Sequence, residues 1–227
     1  MVAQTPKRLI QGPSSIIELA FDFPETQRWL GIALVAHPHP LFGGNMTNKV
    51  AQTLARTFAQ LGYACVRLNF RGVGESTGIH DNGIGEQDDI LAILAWMRQA
   101  NNWADLTPAP SSIQLNSCPL VLGGFSFGSY VLSHVAARLA HMQQPAQRLV
   151  FIGTPTSKWH IASVPADTIV IHGEQDDTIP LTSVFDWARE QQNLPVTVIP
   201  GADHFFHGKL AVIKQCITGA WHTPIID

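Results

Sequence analysis

The pentapeptide GFSFG, residues 124–128, places a hydroxyl that could act as a nucleophile between two glycines. An apolar run over residues 119–123 precedes it and a helical pattern over 130–139 follows it, so we predict a tight turn between a strand and a helix. Such a turn lifts the serine Oγ out of the sheet and leaves the next backbone N–H at a helix N-terminus. We therefore predict that Ser126 is a nucleophile and that the N–H of Phe127 contributes to an oxyanion hole.

A nucleophilic serine needs a base that removes its proton and a carboxylate that orients this base. Two later segments each follow an apolar run, which places them at the carboxyl ends of predicted strands, where open α/β sheets form their sites. The chain order serine, acid, histidine is one of the known orders of such a triad. The first segment offers three acids and the second offers two histidines, namely Glu174, Asp176, Asp177, His204 and His207.

The elements that must position these residues alternate between short apolar runs and longer helical patterns. This alternation is typical of a mostly parallel sheet flanked by helices. Helices are predicted over 45–61 and 86–97, where apolar side chains recur every three or four residues. Residues 15–23 predict a strand with no helix before it, so an antiparallel hairpin should open the sheet. Runs rich in Val, Ile and Leu predict central strands at 31–36, 64–70, 119–123, 148–152, 168–171 and 196–199.

The domain organisation follows from length and loops. A chain of 227 residues fits one large domain or two small ones. The best loop candidate, residues 101–117, is too short to separate two independent cores. We predict a single domain over residues 1–227.

Composition excludes several classes of function. The chain has 14 Lys and Arg against 17 Asp and Glu, with a net charge of −3 and no basic cluster, so nucleic-acid binding is not expected. No apolar run reaches the roughly 18 residues of a membrane span, and no secretion signal opens the chain, so no membrane association is expected. Three cysteines without a C-x-x-C spacing indicate neither disulfides nor a zinc site, and they fit a cytoplasmic location. We expect no cofactor.

An alternative is a metal-dependent hydrolase, because the HPHP segment at residues 37–40 and the pair His204 and His207 carry several imidazoles. Imidazoles at such spacings bind zinc or iron. However, the prolines stiffen the backbone around the first pair, and no acidic ligand lies beside it. We therefore predict no metal site.

Three longer motifs extend the pattern, namely HPHPLFGG at 37–44, NFRGVGES at 69–76 and GADHFF at 201–206. With these motifs the chain resembles the α/β-hydrolase superfamily over nearly its whole length, and within it a group of small bacterial hydrolases. The resemblance implies the α/β-hydrolase fold. It also implies that Ser126 is the nucleophile, Asp176 the orienting acid and His204 the base, with Asp177 and His207 as neighbours outside the triad.

The second oxyanion donor of this fold comes from the loop after the strand that ends near residue 37. Proline has no N–H, so only His39, Leu41 and Phe42 can donate from the start of this loop. The end of the predicted strand favours Leu41 or His39 and does not decide between them.

Many relatives carry a helical cap before the strand that bears the acid. The corresponding interval here, residues 154–167, is too short for one, so we expect no large cap, an open site with Trp159, His160 and Ile161 at its rim, and small or flexible substrates. The resemblance implies a serine hydrolase that cleaves an ester or related acyl bond of a small molecule through an acyl-enzyme, with a carboxylesterase expected first. A thioesterase, a peptidase and a non-catalytic binding protein of the same fold stay open, and the oligomeric state is not predicted.

Overall fold

The computed structural model of the protein describes residues 5–26, 28–106, 113–191 and 194–221. Two short 3₁₀ helices lie in the connecting segments, at Pro40–Phe42 and Ala100–Trp103. The strands and α-helices follow one another in the order β1 (Lys7–Gln11), β2 (Ile16–Asp22), β3 (Gly31–Ala36), α1 (Lys49–Gln60), β4 (Tyr63–Leu68), α2 (Ile84–Met97), β5 (Leu120–Phe125), α3 (Phe127–His141), β6 (Arg148–Ile152), β7 (Ile169–Gly173), α4 (Leu181–Glu190), β8 (Val196–Ile199) and α5 (Leu210–Ala220).

All eight of these strands belong to one sheet, in the order β1-β2-β4-β3-β5-β6-β7-β8. The pairs β1 with β2 and β2 with β4 are antiparallel, and every other pair in the sheet is parallel. The predicted opening hairpin and the mostly parallel sheet are thus confirmed. The carboxyl ends of β5, β7 and β8 meet at the same edge of the sheet, which is where the predicted nucleophile, acid and base follow them.

Helices cover both faces of the sheet. Successive side chains of a strand point to opposite faces, so the apolar central strands present an apolar surface on each face. Leu34 on β3 belongs to an apolar cluster with α2 and α3, whereas its neighbour Val35 belongs to a second cluster with α1 and α5. Every residue of β3, β4 and β5 is buried. The central strands therefore form a rigid support for the loops at their carboxyl ends.

The sheet differs from the predictions at one edge. Residues 196–199 were predicted as a central strand. In the sheet that the described residues form, however, β8 lies at the edge with β7 as its one partner, and Thr197 is exposed. That prediction is wrong, because a short apolar run has the same composition whether it is covered on one side or on both. The pattern also predicted neither α4 nor α5. Helix α1 begins at Lys49, where the side chain of Asn48 accepts the N–H groups of the first turn, rather than at residue 45.

The segment between β6 and β7 contains no helix, and all of its residues are described, which confirms that no large cap covers this edge. Across the described part of the chain, no helix is both long enough and apolar enough to cross a membrane. Residues 107–112 of the predicted loop at 101–117 lie outside the described residues. The single domain over residues 1–227 stays a prediction.

Candidate active site

The turn between β5 and α3 holds Ser126 in a backbone conformation that residues other than glycine rarely adopt. Its φ is 51° and its ψ is −122°, and such strain persists only where the surroundings impose it. Here the N–H of Ser126 donates to the carbonyl of Ile152 at 2.9 Å. The carbonyl of Ser126 accepts from the N–H and the hydroxyl of Ser129, at 2.8 and 2.7 Å. Hydrogen bonds on both sides of the residue thus fix the strained turn and the position of the Ser126 hydroxyl.

The glycines on either side of this serine are required by the close approach of the backbone. A Cβ at Gly124 would lie 2.5 Å from the Cα of Ser129, and a Cβ at Gly128 would lie 2.3 Å from the carbonyl oxygen of Ala36. These contacts are with backbone atoms of α3 and β3, which cannot turn away as a flexible side chain can. The pentapeptide is therefore a packing requirement of this turn as well as a chemical motif.

A hydrogen-bonded line joins three of the predicted site residues at this edge of the sheet. The Nε2 of His204 lies 3.1 Å from Ser126 Oγ, and its Nδ1 lies 2.7 Å from Asp176 Oδ2. The other carboxylate oxygen, Oδ1, accepts the N–H groups of Thr178 and Ile179 at 3.0 and 2.8 Å. The structure thus brings together Ser126, His204 and Asp176 as nucleophile, base and acid would have to be arranged.

The charge of the acid follows from its surroundings. Burial alone would raise the pKa of Asp176, but hydrogen bonds from His204 and from the backbone of Ile179 outweigh it and hold the pKa below its usual value. The carboxylate is therefore ionised and accepts a proton-bearing Nδ1 of His204. In that tautomer, the Nε2 of His204 is free to accept the hydrogen of the Ser126 hydroxyl.

The segments that carry the acid and the base are joined to each other through their backbones. The N–H of Glu174 donates to the carbonyl of Ile199 at 3.1 Å, and the N–H of Gln175 donates to that of Ala202 at 2.9 Å. A Cβ at Gly173 would lie 2.5 Å from the carbonyl oxygen of Ala202, so the two segments meet in close contact. They form one continuous support for the histidine and the aspartate.

Sequence reasoning missed His172, which lies beside the acid. Its Nε2 lies 2.9 Å from the carbonyl oxygen of Ile179 and 3.4 Å from Asp176 Oδ2. Burial lowers the pKa of His172 against the opposing effects of the Ile179 carbonyl and Asp176, so the ring is neutral and donates from Nε2. It supports the turn that presents the acid. Its position four residues before Asp176, at the end of a buried strand, was the available signal.

The alternative acids and base have other hydrogen-bond partners. The exposed Asp177 accepts from the hydroxyl of Thr178 at 3.3 Å, and the exposed Glu174 accepts from the N–H of Gly201 at 2.8 Å. The exposed ring of His207 lies 2.5 Å from a carboxylate oxygen of Asp203. These side chains therefore stabilise the turns around the site.

Of the two oxyanion donors predicted in the loop after β3, one N–H group is already hydrogen-bonded and the other is not. The N–H of Leu41 is engaged, because the Nδ1 of His39 accepts it at 3.2 Å within the 3₁₀ helix Pro40–Phe42. The N–H of Phe42 is engaged as well, with the carbonyl of His39 at 3.2 Å. Among the described residues, neither the N–H of His39 nor that of Phe127 has a hydrogen-bond acceptor. These two N–H groups are therefore available to a ligand.

The two histidines of the HPHP segment do not form a chelating pair. His37 is fully buried, and both of its ring nitrogens are engaged. Its Nε2 accepts the N–H of Phe70 at 3.0 Å, and its Nδ1 lies 2.6 Å from the carbonyl oxygen of Pro38. Nowhere in the described ranges do three His, Cys, Asp or Glu side chains converge in a way that could hold a metal ion. His37 instead supports the loop that follows β3.

The burial of His37 predicts a loss of stability in acid. Burial lowers its pKa from 6.5 to about 3, so between these values the unfolded chain binds a proton that the folded chain does not. The free energy of unfolding should therefore fall as the pH decreases from 6.5 towards 3, with a contribution from this residue of up to about 1.4 kcal/mol per pH unit. Urea unfolding at several pH values would measure this slope.

The matched variants are His37→Gln, whose side-chain oxygen can still accept from Phe70, and His141→Gln, which removes an exposed histidine. The first should lower stability at neutral pH and flatten the acid slope, whereas the second should keep the slope of the wild type. Equal slopes in all three proteins would show that His37 is not protonated on unfolding in this range.

The hydroxyl of Ser126 opens onto a cleft of about 720 Å³. Phe42, 86% exposed, and Phe205, 50% exposed, form part of its rim. Three residues were predicted at the rim, and of these Trp159 lines the cleft. His160 and Ile161 are not among the residues that line it, and Ile161 is buried. The lining residues are Pro38, His39, Phe42, Gly43, Gly44, Asn48, Ser126, Lys158, Trp159, Thr178, Ile179, His204 and Phe205.

Comparison with known proteins identifies the family. A family model described as X-Pro dipeptidyl-peptidase (S15 family) matches residues 23–160, which include Ser126 and end before Asp176 and His204. An uncharacterized protein of Rickettsia prowazekii is 33% identical over 224 residues, which are 93% of this chain and 87% of the relative.

Solved structures agree with this assignment. An α/β serine hydrolase without a lid from Xanthomonas campestris is 33% identical, covers 99% of both chains and has a TM-score of 0.82. A serine hydrolase homologue from Coxiella burnetii is 31% identical, covers 96% of this chain and 99% of its own, and has a TM-score of 0.79. The chain therefore belongs to the S15 peptidase-like family of α/β hydrolases, and it is a serine hydrolase of that fold.

Proposed function

We propose that this serine hydrolase is a carboxylesterase that acts on small or flexible acyl substrates, with Ser126, His204 and Asp176 as its triad. The observation that carries the proposal is the hydrogen-bonded line from Asp176 through His204 to the Ser126 hydroxyl, which opens onto an uncapped cleft. The free cysteine thiols support a reducing, cytoplasmic location as part of the same proposal.

The proposed reaction begins when Ser126 Oγ attacks the substrate carbonyl and His204 Nε2 takes the hydroxyl proton. Asp176 stabilises the imidazolium that forms, and the available N–H groups of Phe127 and His39 donate to the oxyanion. His204 then gives its proton to the leaving alcohol, which leaves an acyl group on Ser126. A water molecule, activated by the same histidine, hydrolyses this acyl-enzyme.

A peptidase is the second candidate, because the matching family model is described as an X-Pro dipeptidyl-peptidase. Release of a dipeptide from a chain end requires recognition of a free ammonium group close to the scissile bond. A buried or half-buried ammonium needs a counter-charge, yet the part of the cleft wall that the structure describes contains no Asp or Glu. The lining therefore favours an ester or thioester, whose acyl part carries no such charge.

The test is labelling of the folded protein with a fluorophosphonate, with identification of the modified peptide by mass spectrometry. We expect a single adduct on Ser126, none on Ser126→Ala, and none on the unfolded wild type, because only the aligned base makes this hydroxyl a nucleophile. A parallel panel compares p-nitrophenyl esters of increasing chain length, an acyl thioester and an alanyl-proline p-nitroanilide.

Hydrolysis of the short esters with the highest kcat/KM would support the carboxylesterase. Faster cleavage of the anilide would show that the peptidase is the function, and faster cleavage of the thioester would show a thioesterase. A folded wild type that neither labels nor turns over any of these compounds would favour a binding protein of the same fold.

A further inference from the structure

Lys158 lies in the segment between β6 and β7 and lines the same cleft as Ser126 and His204. Its backbone is held in place, because the N–H groups of Lys158 and Trp159 both donate to the carbonyl of Pro155, at 3.0 and 3.1 Å. The ring of Trp159 stacks on that of Tyr130 at 5.6 Å between centroids, with 18° between the planes. The base of the lysine side chain is thus anchored at the wall of the cleft.

The charge of Lys158 is not matched by an acid. Among the described residues that line the cleft there is no Asp or Glu, and Lys158 is the one Lys or Arg. Within the described residues, its ammonium group forms neither an ion pair nor a hydrogen bond. Lys49, Lys209 and Lys214 also form no ion pair among the described residues, but none of them lines this cleft.

The rest of the cleft wall indicates which other groups a ligand should carry. Phe42, Trp159, Ile179 and Phe205 present apolar surface, which suits hydrocarbon or aromatic parts of a ligand. An ammonium group without a partner beside such a surface attracts an anionic group that reaches the same cleft. The combination fits a substrate with an apolar body and one negative charge.

We propose that Lys158 binds a carboxylate of the substrate and that the enzyme prefers acyl substrates that carry this anion. The proposal rests on the proposed function, because it assigns the substrate class of the same cleft. Lys158 is a specificity-determining residue in this reaction and takes no part in the transfer of the proton or the acyl group.

The experiment compares matched anionic and neutral esters. On the leaving-group side, the pair is 4-acetoxybenzoate and its methyl ester, and on the acyl side it is p-nitrophenyl hydrogen adipate and its methyl ester. In Lys158→Met we expect kcat/KM for at least one of the anionic esters to fall about tenfold, mainly through KM, as for a lost charge-assisted contact. Neutral esters should change by less than about twofold, since they make no charged contact.

Two further proteins serve as controls. Lys158→Arg should restore the preference for the anion, and Lys214→Met, which removes an exposed lysine of α5 outside the cleft, should leave it unchanged. The preference of the wild type should also weaken as the salt concentration rises, because salt screens an exposed charge pair. Equal losses for the anionic and neutral esters in Lys158→Met, or no preference in the wild type, would overturn the proposal.

A binding measurement separates this proposal from the proposed function. Calorimetric titration of Ser126→Ala with 4-acetamidobenzoate and with its methyl ester needs no turnover. If no ester is hydrolysed but the acid binds more tightly than the methyl ester in a manner that depends on Lys158, the esterase fails and the anion site stands. If the esters are hydrolysed, and neither the affinity for the acid nor the kcat/KM of either anionic ester depends on Lys158, the anion site fails and the esterase stands.

Discussion

Asp176→Asn should lower kcat/KM for p-nitrophenyl esters by about four orders of magnitude, as tautomer errors in such triads do. The Oδ1 of Asp176 accepts two backbone N–H groups, so the amide oxygen of the asparagine would occupy this position. Its NH₂ group would then face His204 Nδ1 and donate to it. His204 would have to carry its proton on Nε2, where it can no longer accept the proton of Ser126.

The neighbouring acid provides the control for this prediction. Asp177→Asn should leave kcat/KM within about a factor of two, because an exposed side chain away from the reacting atoms contributes little. Ser126→Ala sets the floor of activity, and Ser126→Ala combined with Asp176→Asn should fall no further, since residues that act as one unit lose function together. A large loss in Asp177→Asn with a normal Asp176→Asn would reverse the assignment of the acid.

Gly128→Ala should strongly destabilise the protein. The added Cβ would lie 2.3 Å from the Ala36 carbonyl oxygen and 2.8 Å from that of His37, so α3 would have to move away from β3. Overpacking against such rigid neighbours costs about 3 kcal/mol or more. Urea unfolding would measure this loss, and fluorophosphonate labelling would show whether the displaced turn still presents a reactive serine.

Gly219→Ala is the matched control, because among the described residues a Cβ there meets no atom within 4 Å apart from the backbone of its own helix, and the residue lies inside α5. This exchange should leave stability unchanged or raise it by up to about 1 kcal/mol, since alanine is the better helix former. A Gly128→Ala protein as stable as Gly219→Ala would show that the turn after β5 adjusts easily and that the pentapeptide is not a packing requirement.

Some of the structural features behind these predictions could be predicted from the sequence, and others could not. The fold was predictable because each central strand is a buried apolar run. The run at residues 31–36, for example, has the same bounds as the observed strand Gly31–Ala36. Ser126 was predictable because the pentapeptide stands between a strand and a helix, which is a local relation. The edge position of β8 was not, because it depends on the number of strands beyond it and not on its own residues.

The finer parts of the candidate site depend on contacts through space. Residue type and chain order left Glu174, Asp176 and Asp177 open, and the choice of Asp176 came from the resemblance. In the structure a turn aims two N–H groups at the carboxylate of Asp176. The engagement of the Leu41 N–H depends on the orientation of a single imidazole, that of His39. The pairing of His172 with the Ile179 carbonyl depends on how the chain turns after β7. No periodic pattern encodes such orientations.

The backbone bonds between the segments after β7 and β8 have a mechanical consequence. His204 and Asp176 follow two neighbouring strands at the edge of the sheet, whereas Ser126 follows β5, with β6 between them. His204 lies 2.7 Å from Asp176 and 3.1 Å from Ser126. Because backbone bonds tie the segments of His204 and Asp176 to each other, a displacement of one of these segments would carry the other with it, so the proposed acid and base would keep their pairing even where their distance to the serine changes.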